Sequence, residues 1–518
     1  MNPHILFNIA NLPPCGAFVN SCISAVDCAP AHCLTSVDMA DLTRVLTGSE
    51  ENWLKGTAGG SGICVFGALF NTTIGTHHVS ATAQELLESH PSLRALIVEN
   101  SKGKACFQAP ATCPAAREYV ENRPWPYVDE ACKDGIFMFD EDHLDKHGSL
   151  ALHKLVTEEL NVNFLNSEGK TSPPLRVFSV LVYHNSSRQQ TAILLKAHGA
   201  TLDQKSVNIV VQEFLARLDM AVEGKLHQSW SMKREEGLPS PFEDLIPKSK
   251  ASKWFLQKGF DALGYAINSK KYSLLPFQPS FSSGTGEAAF RTSFLSASFG
   301  KQGTATFFDV CKKENVSCAA ALSAAVLKTV AALEELKEKG HNEFCLTIIV
   351  DCRPFSEPKL AENALGNYVS GVPEGVKVKH GVDVWDFARQ IFATIEKDLG
   401  KSKQLSEFSV LSMLYSQVMK YPSLTEKGSL RTGLLNICVD PPMEGPCRKG
   451  VGQLGLVGTV GPLFSNHYVG PCFYIVQSVL EGPELVLTLV YTTPLYSHAQ
   501  MHHILHSATQ LLVQSHKN

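Results

Sequence analysis

The sequence predicts an α/β protein of more than one domain, on three observations. At 518 residues the chain exceeds what one ordinary hydrophobic core organises, so two or three domains are expected. Apolar runs of strand length alternate with segments whose apolar residues recur at helical spacing. The stretch TAILLKAHGATLDQKSVNIVVQEFLARLDMAV, residues 191–222, shows both patterns in sequence. An apolar strand (Thr191–Ala197) breaks at His198-Gly199 and crosses a polar loop holding Asp203. It then enters a helix with Val207, Val210, Val211, Phe214, Leu215 and Leu218 in register, for which Ser206 reads as the N-cap. A strand, a tight turn with a His and an Asp, and a capped helix together hold a base rigidly.

Composition excludes several classes. Hydrophobic content of 44% with 19% charged residues is that of a soluble globular protein, and a net charge of −4 gives no basic field for nucleic acid. No run of eighteen apolar residues occurs, so no membrane span is expected. The start MNPHILFNIANLPPCG lacks a basic segment followed by a long apolar one, which argues against a secretory signal. Fifteen cysteines without CxxC pairs or Cys/His zinc spacing suit a reduced, cytoplasmic protein in which Cys64, Cys345, Cys438 and Cys472 act as small hydrophobes.

Residues 1–60 carry Cys, Pro, Ser and Gly without a strong period and read as a lead-in packed on the first domain, with a short helix near Ser36–Leu46. Ile63–Phe70 is an apolar strand. Ala83, Leu86 and Leu87 then repeat at helical spacing, and Pro91 ends that helix because the residue before a proline disfavours helical geometry. Leu93–Glu99 is a strand, Leu150–Leu160 an amphipathic helix and Ser167–Pro174 a polar linker. Arg176–Tyr183 and Thr191–Ala197, split by the turn-rich HNSSRQQ, form an antiparallel pair whose second strand delivers His198.

Residues 225–300 hold few periodic segments, and a loop of that length bridges or functions. From Thr304 a short helix, a break at Glu314-Asn315 and a second helix of Ala, Val and Leu follow; a helix apolar on most sides is buried. Cys345–Phe355 is a strand ending in Asp351-Cys352-Arg353-Pro354, Val384–Leu399 an amphipathic helix and Leu434–Val439 a strand. Residues 440–470 are glycine-rich but carry neither GxxxxGK[ST] nor GxGxxG in a strand–helix unit, which excludes a phosphate loop. Cys472–Leu480 and Leu485–Thr493 are strands about a Glu-Gly-Pro-Glu turn, and a helix over His498–Ser515 closes the chain.

Most histidines read as structural. His90 ends a helix, where it interacts with the dipole, and His77-His78 are a loop pair. His498, His502 and His506 share one helical face, but no carboxylate joins them, so a surface face is preferred over a metal site. No GxSxG elbow, HExxH or spaced carboxylate pair competes as a catalytic signature.

Four stretches, in order, resemble the CoA-dependent acyltransferase superfamily, which includes chloramphenicol acetyltransferase, the plant BAHD enzymes, alcohol acetyltransferases and peptide-synthetase condensation domains. ELLESHPSLRALIVE is similar to the superfamily's early helix and strand, where HP-x-LR recurs. HGATLDQKS (His198–Ser206) resembles its HHxxxDG signature, often followed by a Ser. LPSPFEDLIP (Leu238–Pro247) resembles PPSxEDLxP. VDCR (Val350–Arg353) with LGNY (Leu365–Tyr368) resembles the floor of the substrate channel. The BAHD box DFGWG is absent.

The resemblance implies two chloramphenicol-acetyltransferase-like domains, each a mixed sheet with helices, meeting at a central channel. The expected division is a lead-in over 1–60, an N-terminal domain over 61–224 with the His198/Asp203 loop, a crossover over 225–300 and a C-terminal domain over 301–518. It also implies a monomer that moves an acyl group from acyl-CoA, as co-substrate, to a hydroxyl or amine of a small molecule by direct attack, with no bound cofactor and no metal. In the superfamily the second His of the signature takes the acceptor's proton and the Asp orients the loop. Two registers fit this chain. Without a gap, His198 falls on the first His and Gly199 on the catalytic one. With a loop one residue longer, His198 is the base. The implied catalytic residues are His198 and Asp203, with Gly199, Ser206, Arg353, Asn367 and Tyr368 about the substrate; read from the residues alone, Arg353 is an ion-pair partner of Asp351 or Glu362. If Gly199 stands for a lost base, then His77, His78, Cys352 or a group of the substrate serves instead, or the fold binds a small molecule or runs another reaction.

Overall fold

The computed structural model describes residues 41–125, 149–165, 168–225, 237–251, 272–278, 290–338, 340, 342–421, 431–437, 454–467, 469–480 and 484–514. In the N-terminal half these form β1 (Leu42–Val45), α1 (Gly48–Ala58), β2 (Ile63–Phe70), α2 (Thr76–Ser89), β3 (Leu96–Glu99), β4 (Ala105–Ala109) and β5 (Val120–Pro124). α3 (Ser149–Leu160), β6 (Leu175–Arg176), β7 (Phe178–Asn185), β8 (Gln190–His198) and α4 (Gln204–Val222) follow. The C-terminal half gives β9 (Arg291–Ser298), α5 (Gly300–Lys313), α6 (Cys318–Ala331), β10 (Glu343–Asp351), β11 (Val369–Lys377), α7 (Val384–Gly400) and α8 (Phe408–Lys420). It ends with β12 (Gly433–Asn436), β13 (Leu456–Phe464), β14 (Phe473–Leu480), β15 (Glu484–Thr493) and α9 (His498–Gln514).

Each half is organised on a mixed sheet. The first has the order β13-β2-β8-β7-β5, with β7 and β8 antiparallel as their apolar runs and intervening turn predict. The second has the order β11-β10-β12-β14-β15-β9. A four-stranded sheet, β1-β4-β3-β6, stands beside the first. Every residue of β8 is buried because both faces are covered, which is why it reads as a continuous apolar run and not as an alternation. Ile193, Leu195 and Ala197 face the core shared with α2 and α4, while Ala192 and Leu194 face α3. The helical stripe Val207, Val210, Val211, Phe214, Leu215 and Leu218 of α4 is fully buried there, each side chain contributing ~1.5–3 kcal/mol of hydrophobic stabilisation. α6 is buried nearly all round, against α7 and α9.

Several elements differ from the sequence expectation. Asp203, not Ser206, is the N-cap of α4: its carboxylate accepts the Ser206 N–H, so Ser206 lies within the first turn. The described part of Ser36–Leu46 is strand β1, paired antiparallel with β4, and the helix begins later, at Gly48, behind a capping box of Thr47 and Glu50. Arg44 of the strand holds Glu50 at 2.7 and 2.8 Å, which fixes that boundary. The glycine-rich run hides β13, which pairs with β2 and so completes the N-terminal sheet with a strand from the far end of the chain. Its pairing shifts register around Gly461-Pro462, and glycine and proline weaken the strand pattern in sequence. The stretch 225–300 closes with β9, an edge of the second sheet; its residues 226–236, 252–271 and 279–289 lie outside the described ones, as do 1–40 of the lead-in and 440–453 of the glycine-rich run. His77 and His78 lie in the first turn of α2, and His90 is buried at the end of that helix with Nε2 2.8 Å from Glu213. Among the described residues no helix is long and apolar enough to cross a membrane, and no group of three His, Cys, Asp or Glu is placed to hold a metal.

Candidate active site

The turn after β8 is locked by its backbone. The His198 N–H donates to Val177 O and the Gly199 N–H to Gly62 O, both at 2.8 Å. The His198 imidazole points into the core. It is 0% exposed, its Nδ1 accepts the Ala200 N–H at 3.1 Å, and its ring centroid is 5.7 Å from that of Phe164. With Nδ1 accepting, the ring proton sits on Nε2, which is buried without a hydrogen-bond partner. Burial pushes the pKa down to about 3, so the ring is neutral at pH 7.

Asp203 is the centre of a staple between the two halves. Its carboxylate accepts the Ser206 N–H at 2.7 Å, an Arg353 guanidinium N–H at 3.0 Å and the Tyr368 N–H at 2.9 Å. Arg353 is 1% exposed and also reaches Asp351 (2.9 Å), Ser206 Oγ (2.8 Å) and Ala364 O (3.0 Å), while lying over the Tyr368 ring. Burial disfavours the Arg353 charge, but Asp203 and Asp351 outweigh it and raise the pKa. Ser206 Oγ donates to Gly366 O at 2.7 Å and accepts the Gly366 N–H at 3.0 Å. A side chain at Gly366 would meet the Tyr368 ring at 2.4 Å, so the LGNY turn needs glycine by close approach. Asn367 Nδ2 donates to Gly199 O at 2.6 Å.

A cavity of about 320 Å³ opens where these loops meet, within the range of small-molecule sites. It is walled by Trp53 of α1, Gly62, Asp203 and Gln204, β10 and β11, Phe408 to Tyr415 of α8, and the run from Phe464 to Tyr474. Of the residues singled out in the sequence, Asp203 and Asn367 reach this wall; His198, Gly199, Ser206, Arg353 and Tyr368 stand behind it. Arg353 does pair with Asp351, and its second carboxylate is Asp203 and not Glu362. Cys352 is wholly buried, with burial pushing its thiol pKa far up, and neither it nor His77 nor His78 lines the cavity.

The space beside Gly199 belongs to Trp53. A β-carbon at Gly199 would sit 2.7 Å from Trp53 Cε3, and one at Gly62 at the same distance from the same atom. The indole thus lies against two glycines that flank the paired strands β2 and β8, one of them the residue that the ungapped register sets at the base's position. No sequence signal marks Trp53; the glycine at position 199 is the only trace of it. Gln204 and Ser370, both on the wall, carry buried polar atoms with no hydrogen-bond partner. Gln204 stands at the signature's glycine, a departure visible in sequence; Ser370 left no mark there.

The two halves, each built on a mixed sheet, meet at this cavity with the buried Asp203–Arg353 pair behind it, and the fold is shared with solved acyltransferases and condensation domains. Residues 289–422 match the family described as phthiocerol/phthiodiolone dimycocerosyl transferase C-terminus. The fold is similar to that of polyketide synthase associated protein 5 from Mycobacterium tuberculosis (15% identity, TM-score 0.58, 91% of this chain and 97% of that one). It is similar too to the trichothecene 15-O-acetyltransferase from Fusarium sporotrichioides (11% identity, TM-score 0.65, 92% and 96%). The first condensation domain of the calcium-dependent antibiotic synthetase aligns at 11% identity with a TM-score of 0.60 over 92% and 96%. No curated protein matches the chain.

Proposed function

We propose that the protein transfers an acyl group from a thioester such as acyl-CoA to an amine bound in the cavity, by direct attack and without an imidazole base. The observation that carries this reading is the wall itself: the loop that would present the base contributes Asp203 and Gln204, with Trp53 beside it, while the His198 ring stays buried, neutral and hydrogen-bonded at Nδ1. Positioning two reactants in a closed site lowers the barrier by itself. A general base adds a factor of ~10²–10⁴, which an alcohol needs because it must lose its proton to attack. A neutral amine attacks with its own lone pair. The C–N bond forms, the C–S bond breaks, and the proton on nitrogen passes to the departing thiolate. The fold and the family match support acyl transfer of this general type.

The same Trp53–Gly199 arrangement also favours a second reading, in which the cavity binds a small molecule without turnover. Free-thiol release from a panel of acyl-CoAs, with pooled amines and then pooled alcohols, separates the two. Release with amines, within about threefold in a folded His198→Ala variant, is expected. Release with alcohols that collapses in His198→Ala would restore His198 as base. No release with either pool would leave the binding reading.

A further inference from the structure

We propose that Arg431 binds a carboxylate of the acceptor, so that the cavity takes an apolar chain with an amine at one end and an acid at the other. The inference rests on the acyl-transfer reading of the same cavity. Among the described residues that border it, only Asp203 and Arg431 carry a charge. Asp203 is neutralised by Arg353, which stands behind the wall. Arg431 is half-buried, and its Nη1 donates to the Thr347 hydroxyl, a neutral group. Thr347 belongs to the same wall, so the guanidinium itself lies at the cavity, and not only its stem. No carboxylate among the described residues pairs with Arg431, whereas Arg353 has two. The wall thus carries one uncompensated positive charge.

The surroundings define the anion and its chain. Trp53, Ile349, Phe408, Leu411, Leu434 and Phe464 make most of the wall apolar. A cation there is poorly solvated and gains most from an anion brought to it. With Nη1 turned to Thr347, the Nε–Nη2 edge is left, and it presents two parallel N–H donors. A carboxylate matches that edge with its two oxygens. One arginine balances one negative charge. A phosphate monoester brings about −1.5 to −2 and a CoA nucleotide more, and no second unpaired cation borders the cavity among the described residues. Thr347 lies four residues before Asp351 on β10, and Asp351 meets the Arg353 that holds Asp203. Four residues of strand span ~13 Å, the reach of an extended chain of about eight carbons with its polar ends.

Calorimetric titration of the full chain with octanoate and its neutral counterpart octanol tests the arginine. Octanoate is expected to bind about tenfold or more tightly, since a hydrogen bond to a charged group is worth a factor of ~10–150. Arg431→Gln should bring the two within about threefold. Arg431→Lys, which keeps the charge without the fork, should fall between. The wild-type comparison needs no variant to fold. Equal affinities in the wild type, or a preference for octanoate that survives Arg431→Gln, overturns the proposal. So does a loss of about tenfold in CoA binding by Arg431→Gln with octanoate changed less than about threefold, which would give the arginine to the donor's phosphates. In thiol release from acetyl-CoA, the KM for 8-aminooctanoate should lie about tenfold or more below that for octylamine, and the gap should close in Arg431→Gln. Equal KM values in the wild type overturn the proposal. Carboxylate-selective binding without release with any amine removes acyl transfer and leaves Arg431 as a carboxylate site. Release that treats the two amines alike, with octanoate and octanol bound equally, does the reverse.

Discussion

The Trp53 indole fills the volume that a side chain on Gly199 would enter: a β-carbon there would lie 2.7 Å from Trp53 Cε3 and 2.8 Å from the Gly62 carbonyl oxygen. Gly199 is thus required by its surroundings, not by its backbone angles. Gly199→Ala should destabilise by ~1–3 kcal/mol, the usual consequence of overpacking, and Gly199→His by at least as much, without creating an active base. Part of the penalty should vanish in a Trp53→Ala background; the rest should persist, because the carbonyl oxygen stays. Denaturant unfolding of the double-mutant cycle measures the coupling. An equal penalty in both backgrounds would refute the fit.

Asp203 and Arg353 bind across the lobes with both side chains fully buried. Removing one partner of such a pair strands the other charge, so Asp203→Ala should destabilise by ~3–5 kcal/mol. Asp203→Asn keeps an acceptor for the Ser206 N–H and should lose less. Arg353→Lys gives up the planar fork that reaches Asp203, Asp351 and Ala364 at once. Thermal unfolding should rank wild type above Asp203→Asn above Asp203→Ala; an unchanged midpoint in Asp203→Ala would remove the staple.

What the sequence made legible is what local pattern encodes. The runs that became β2, β7, β8 and β10 are apolar over strand lengths, and the stripe of α4 has helical period, so each declares itself within ten or twenty residues. The fold followed from four short motifs in order, and Asp203, Arg353 and the LGNY turn do meet. Long-range pairing was not legible. β13 joins β2 across nearly the whole chain, and nothing in LVGTVGPLF names its partner. Nor was the direction of a side chain: the strand carries the His198 ring into the core, which neither register of the motif indicates. Trp53 comes from a helix within the stretch read as an irregular lead-in, so its contact with Gly199 had no local signal at all.

Two buried histidines should shape the acid limb of stability. Burial pushes His198 down to about 3 and His153, stacked on Phe294, to about 4, from an ordinary value of 6.5. Because their folded values lie below the unfolded one, the stability of keeping them neutral is complete above pH 6.5 and is lost as pH falls towards 4 and then 3. His153→Phe preserves the stacking and abolishes one titration, so its thermal midpoint should fall less than that of wild type between pH 6.5 and 4. Parallel curves for the two proteins would show that His153 does not titrate in this range.

Glu374 should govern the alkaline limb. It lies on β11, 4% exposed, beside buried Asp398 of α7, whose carboxylate is bound by Lys403. Burial first, and then the Asp398 charge and a side-chain hydrogen bond with it, push Glu374 up to about 8, against the opposing pull of Lys403. The folded value is raised above the unfolded one, so the stability of the protonated form is complete below pH 4.5 and is lost as pH rises through about 8. Glu374→Gln mimics the protonated carboxyl at every pH. Its thermal midpoint should match that of wild type near pH 5 and exceed it near pH 9, where wild type must bury a second negative charge against Asp398. Scanning both proteins from pH 5 to 9 decides it, and a variant that declines in step with wild type would assign the alkaline limb to another group.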